Sequence, residues 1–252
     1  MKEQLEALNA LTINFGEGGM KIVNIILAFV MFGVALGIKM DTFKEVFKYP
    51  KSVITGLILQ WFGLPAVTFA VALALSPVIT PMVALGMLLV ASCPGGNISN
   101  FMSSLSKGNV ELSVTLSAIS TAFAPLITPF NFFFWGSMYS QIISIKSNIP
   151  TLVIPFFPML EQILLLLGVP IVLGMLCARY FPNITKKISK PTQYLSILLF
   201  LGMVVASFSQ NFQLFITHLH YICIIVLIHN ACALGTGFFG AKAAKLSKKD
   251  QK

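Results

Sequence analysis

Charge is scarce in this sequence of 252 residues. Only 10% of them are Asp, Glu, Lys or Arg, against about 25% in soluble domains, too few to clothe a surface in water. Acids are rarest, eight against 17 basic residues, and no pair of carboxylates falls inside an apolar run. There is no G-x-S-x-G, H-E-x-x-H or phosphate-binding loop, so no nucleophile–base or metal-hydrolase chemistry is expected. The four cysteines, Cys93, Cys177, Cys223 and Cys232, lack C-x-x-C spacing and imply neither a disulfide framework nor a metal site. Residues Met1 to Gly19 hold Glu3, Glu6 and Glu17 and lack a basic start followed by an apolar core, so a cleavable signal is not expected. Period-two alternation is missing too, so a membrane β-barrel is not expected.

What is present is apolar. Hydrophobic residues make up 56% of the chain, with 22 Phe, and mean hydropathy is +0.87. That supplies roughly seven membrane spans of about 20 residues each. Seven segments can be drawn: Ile22–Ile38, Val53–Leu75, Met82–Ser106, Leu112–Met138, Met159–Ala178, Tyr194–Phe208 and Tyr221–Gly240. The expected fold class is an all-α polytopic membrane protein. Its organisation is an extracytoplasmic segment 1–21, a transmembrane domain 22–240 and a basic cytoplasmic tail 241–252.

The net charge of +9 does not read as a nucleic-acid footprint, because the basic residues sit in short clusters between apolar runs. Fourteen of the 17 fall on alternate loops, including Lys39, Lys44, Lys48 and Lys51 after the first segment and Lys242 to Lys252 after the last. Lys2, Lys21 and Lys146 alone fall on the other side. The positive-inside rule then places the N-terminus outside and the C-terminus in the cytoplasm of a cell (inner) membrane. The same topology puts the sequon Asn97-Ile98-Ser99 at membrane depth and Asn183-Ile184-Thr185 in a cytoplasmic loop.

Chemistry concentrates in the third segment, which Cys93-Pro94-Gly95-Gly96-Asn97 interrupts. Proline removes a donor and glycine tolerates open backbone, so a helix breaks there, and irregular backbone survives in a bilayer only inside protein or beside a watery cavity. Asn97, Ser99 and Asn100 follow at the head of a second half-helix. Such half-helix ends and unwound carbonyls suit an anion and a cation; a simple kink with polar packing is the blander alternative. In the fourth segment Ser113, Ser117 and Ser120 share one face, as cation ligands or as small residues for close packing. Gln60 lies mid-span near Pro65, the mark of an irregular helix. Glu161 reads as interfacial, and His218 and His220 fall in an outer loop. His229 and Asn230 lie well inside the last segment, His229 as an interhelical hydrogen bonder or a proton relay.

Several stretches together resemble the bile acid:sodium symporter family. They are CPGGNISN at Cys93–Asn100, MFGVALGIKMDTF at Met31–Phe43, Gln60-Trp61-Phe62-Gly63-Leu64-Pro65, KGNVELSV at Lys107–Val114, and the pair His229-Asn230. The similarity runs from about Ile22 to the C-terminus. It implies sodium-coupled uptake of an organic anion (a bile acid, steroid conjugate or small carboxylate) by alternating access, on an inverted-repeat fold of panel and core helices. It also implies one sodium ion held by Ser99, Asn100, Ser113 and Ser117, a second at Gln60, and a substrate cavity lined by Asn97 and Gly96. Sodium is the coupling ion; the organic anion and membrane lipids are the other partners, with no nucleic acid. The family's E-x-G-x-Q-N motif is missing, so the chain is expected to be truncated before the last two helices and poorly active alone. The alternative is a non-transporting regulatory partner of a full-length transporter.

Overall fold

The computed structural model describes residues 16–38, 48–147, 152–210 and 212–251. Long apolar runs leave backbone polar groups no water to bond, and the helix satisfies them internally. Among the described residues eight helices form: α1 (Gly16–Leu36), α2 (Pro50–Leu75), α3 (Pro81–Ser92), α4 (Asn97–Leu105), α5 (Val110–Ser147), α6 (Phe156–Tyr180), α7 (Pro182–Gln210) and α8 (Phe212–Ala243). Among the described residues no strand occurs. Six of the helices, all but α3 and α4, are long and apolar enough to cross a membrane. The third expected segment, Met82–Ser106, is the pair α3 and α4, divided at the Cys93–Gly96 interruption.

Two expectations from the sequence are corrected. The helix expected at Tyr194–Phe208 begins at Pro182, so Asn183-Ile184-Thr185 and Lys186, Lys187 and Lys190 lie on α7 and not in a loop. Pro191 does not stop this helix: the carbonyl it leaves without a donor belongs to Lys187, an exposed residue. Likewise α8 starts at Phe212, so His218 and His220 are helical. Of the segment 1–21, residues 1–15 lie outside the described residues, as do Lys39 and Lys44.

The helices gather in two sets that meet where α6 packs along α5, as Phe133 does against Phe156. In the first, α1 packs against α6 and α7; small residues permit the approach, since a β-carbon at Gly174 would stand 2.6 Å from Ala35 Cβ. In the second, α2, α3, α4 and α8 gather around α5 and one another. One core at the far end of this group joins Ala72, Leu85, Leu88, Tyr139, Ile143 and Ile225, and a smaller one joins Val53, Leu112 and Ile119 between α2 and α5. The 38 residues of α5 span both, straight through Pro125 and Pro129.

Both α2 and α6 contain a π-helical turn, at Leu59–Gly63 and Leu164–Gly168, each with a proline two residues after the glycine. Such turns widen a helix by one residue and often mark functional sites. The first contains Gln60.

Candidate functional site

The break between α3 and α4 places the polar residues. Thr80 caps α3 by accepting from the Val83 N–H, and Pro81 occupies its first turn. Cys93 and Gly96 are extended, with ψ of 153° and 171°, so the chain leaves one helix and re-enters another within four residues. A β-carbon at Gly96 would meet nothing within 4 Å; the backbone there faces open space. Asn97 opens α4, but its side chain lies outside the described residues.

Three of the four residues expected at the first sodium position form one hydrogen-bonded knot, and the fourth touches it. Asn100 Oδ1 accepts from Ser113 Oγ at 2.7 Å and from Ser117 Oγ at 3.1 Å. Ser99 Oγ donates to the Gly96 carbonyl at 2.7 Å and lies 3.5 Å from Ser117 Oγ. The turn Ser106–Asn109 makes this possible by folding α4 back along α5. Lys107 takes a left-handed φ of 55°, while the Lys107 and Gly108 N–H groups donate to the Ser104 and Ser103 carbonyls, the usual end of a helix that reverses. Asn109 then caps α5 by accepting from the Leu112 N–H at 3.1 Å.

Gln60 belongs to the same neighbourhood. Its Oε1 accepts from Ser120 Oγ at 2.9 Å, and its Nε2 lies 3.6 Å from where a Gly95 β-carbon would be. Ser120, a candidate ligand by spacing, is 1% exposed and bonded to Gln60. Beyond Gln60 a cavity of about 700 Å³ opens between α2, α5 and α8, lined chiefly by apolar residues such as Leu59, Leu64, Leu116 and Phe238.

The donors that converge are neutral oxygens: carboxamides, hydroxyls and a carbonyl. Among the described residues no three His, Cys, Asp or Glu side chains gather as metal ligands. Hard neutral oxygens suit an alkali cation better than a transition metal. His229, 8% exposed, bonds Thr68 across α2 and α8, whereas Asn230 and Glu161 are exposed. The sequence reading passed over Asn131 and Thr128 of α5, both buried and both bonded to backbone carbonyls on either side of the site.

A broken helix whose end meets converging neutral oxygens inside a polytopic helical membrane protein is the arrangement that many secondary transporters use for their sites. Comparison with known sequences names the family. The profile of the Sodium Bile acid symporter family matches residues 24–218. An uncharacterised sodium-dependent transporter of Bacillus subtilis (strain 168) is 31% identical over 91% of this chain and 67% of its own length. A chloroplastic protein of Oryza sativa subsp. japonica named a probable sodium/metabolite cotransporter is 28% identical over 88% of the chain and 50% of its own length. The ileal sodium/bile acid cotransporter of Cricetulus griseus is also 28% identical, over 88% of the chain and 61% of its own length. The chain belongs to the Sodium Bile acid symporter family, a family of sodium-coupled transporters and not of enzymes. It spans about half to two thirds of the length of these relatives.

Proposed function

We propose that this chain binds sodium as part of a symporter that takes up an organic anion by alternating access. The observation that carries the reading is the knot of Asn100, Ser113 and Ser117, with Ser99 at its edge, at the head of a half-helix. A sodium ion in this knot would take oxygen lone pairs from α4 and α5 together and hold the half-helix in place; one at Gln60 would tie α2 to α5 in the same way. The anion would meet the positive end of α4, where Gly96 leaves open space and Asn97 stands first. Movement of the group α1, α6 and α7 against the rest would then expose the anion to one side or the other. The lysine distribution supports insertion in a cell (inner) membrane with the C-terminus in the cytoplasm.

A second reading, a non-transporting partner of a larger transporter, draws on one feature of the ligand set. All five nominated sodium ligands, Gln60, Ser99, Asn100, Ser113 and Ser117, are neutral, so no carboxylate among them offsets a buried cation's lost hydration.

Uptake into proteoliposomes separates the two. An inward sodium gradient should drive accumulation of a radiolabelled bile acid, sulfated steroid or small carboxylate, and Asn100→Ala should abolish it. Uptake unchanged when potassium replaces sodium would overturn symport; no uptake from the chain alone, but altered uptake by a co-reconstituted relative, would favour the partner.

A further inference from the structure

Two stretches of irregular backbone border the candidate site, and each deprives a carbonyl of its helical donor. Pro65 has no N–H to offer the Trp61 carbonyl four residues before it. At the break, Ser92 ends α3 while Gly96, which would serve its carbonyl in a continuous helix, is extended. Both carbonyls are served from α5: Asn131 Nδ2 donates to Trp61 O at 2.6 Å, and Thr128 Oγ1 to Ser92 O at 3.0 Å. Asn131 and Thr128 are 2% and 5% exposed. They continue the helix face of Ser113, Ser117 and Ser120, Thr128 two turns beyond Ser120 and Asn131 three residues further on. At bilayer depth no water can stand in for such donors.

We propose that Asn131 is a positioning residue for the Gln60 cation site and that Thr128 plays the same part for the broken helix. The proposal deepens the sodium reading above and rests on it. Gln60 and Trp61 are adjacent in the π-turn, so whatever holds the Trp61 carbonyl fixes the backbone from which the Gln60 side chain springs. Ser120 holds the other end of that side chain at Oε1. Both contacts come from one unbroken helix, which also supplies Ser113 and Ser117 to the Asn100 knot. Through Asn131 and Thr128, α5 holds the two sites at a constant separation. Pro65 and Asn131 are thus a complementary pair, one withholding the donor that the other provides.

Hydrogen exchange of the full chain in nanodiscs, in potassium and then in sodium, tests this with Asn131→Leu, Thr128→Val, Pro65→Ala and the double variant. In potassium, Asn131→Leu should speed exchange in residues 59–66 by about tenfold, the usual scale for a lost buried hydrogen bond, and leave 97–105 unchanged. Pro65→Ala supplies an N–H to the same carbonyl, so adding Asn131→Leu to it should change exchange by less than about threefold. In sodium, the native chain should slow in both segments; Asn131→Leu should lose the slowing at 59–66 alone. If that variant folds poorly, the nearly isosteric Thr128→Val should lose it at 97–105 alone. Equal effects of Asn131→Leu with Pro65 or Ala at position 65, or sodium protection that survives both substitutions, would overturn the positioning role. Sodium that slows neither segment of the native chain would overturn the cation-site reading itself, whatever the variants do in potassium.

Discussion

Thr68 Oγ1 and His229 Nε2 lie 2.9 Å apart, buried between α2 and α8 and 161 residues apart in sequence. Thr68 is 0% exposed, so this bond is sealed from water and joins the helix that bears Gln60 to the last described span. A hydroxyl partner suits a structural hydrogen bond, and His229 is better read as a clasp than as a proton relay.

The clasp makes a distinction that substitution can test. His229→Gln keeps a side-chain amide able to bond Thr68, whereas His229→Leu and Thr68→Val each leave one buried polar group alone. The single losses should each cost about 1–3 kcal/mol, and a double-mutant cycle should show coupling of about 1 kcal/mol. Thermal melting of the purified variants measures both. Retained sodium-dependent uptake in His229→Gln is the expected outcome; its loss with unchanged melting would restore the proton relay.

A second tie closes the lysine-rich end. Asp250 accepts from Asn109 Nδ2 at 2.7 Å and from Ser52 Oγ at 3.0 Å, while the Asn109 N–H donates to the Lys249 carbonyl at 3.0 Å. One carboxylate thereby joins the start of α2, the cap of α5 and the tail after α8. Bonds to a charged acceptor exceed neutral ones, at about 1.5–3 kcal/mol. Asp250→Ala should therefore free the tail, and trypsin should cleave after Lys245, Lys248 and Lys249 several-fold faster than in the native chain. Unchanged cleavage would show that the backbone bond alone secures the segment.

Much of this architecture is readable along the chain because membrane spans and a Pro-Gly-Gly break have strong local causes. Ser113 and Ser117 were legible as hydroxyls on one helix face because four residues make about one helical turn. Gln60 was legible as polar and mid-span, but its approach to Gly95 depends on how α2 crosses the break, which no spacing encodes. Asn131 was passed over although a signal existed. A proline at 65 orphans a carbonyl at 61, and an unexplained amide on the polar face of α5 is the natural donor. The early start of α7 was not legible, because Asn183, Lys186, Lys187 and Lys190 make its first turns too polar to belong to an apolar run.

Two lysines carry strain that glycine would relieve. Lys107 and Lys245 both have φ of 55°, the left-handed conformation that closes α4 and α8 and that side chains with a β-carbon disfavour. Lys107→Gly and Lys245→Gly should each raise stability by about 0.5–1 kcal/mol. A rise in melting temperature checks this; a fall would mean that the lysine side chains contribute more than the backbone loses.

Close packing of α1 on α6 should fail if Gly174 gains a side chain. Besides Ala35 Cβ at 2.6 Å, a β-carbon there would stand 2.9 Å from the Phe32 carbonyl oxygen, and main chain cannot swing aside as a long side chain can. Gly174→Val should cost about 1–3 kcal/mol by overpacking, read as a lower melting temperature. Sodium-dependent stabilisation should survive, because neither helix contributes to the Asn100 knot. Its loss would show that the packing of α1 on α6 is coupled to the knot through α5.

The neutral ligand set leads to the sharpest expectation. Asn100 Oδ1 accepts both serine hydroxyls, and Asn100→Asp retains that oxygen while adding a negative charge where a cation would sit. Asn100→Ala removes the oxygen altogether. A ligand bound only by the folded state raises stability by RT ln(1 + [L]/Kd), so titrating sodium against melting temperature reads affinity without transport. Asn100→Ala should erase the sodium-dependent rise. Asn100→Asp should lower the sodium concentration for half the rise by about tenfold, the effect of roughly 1.4 kcal/mol of added attraction at the high effective dielectric of a polar, part-buried site. A rise in Asn100→Asp no steeper than in the native chain would show that the cation binds elsewhere, since a charge placed at its ligand cannot leave its affinity unchanged.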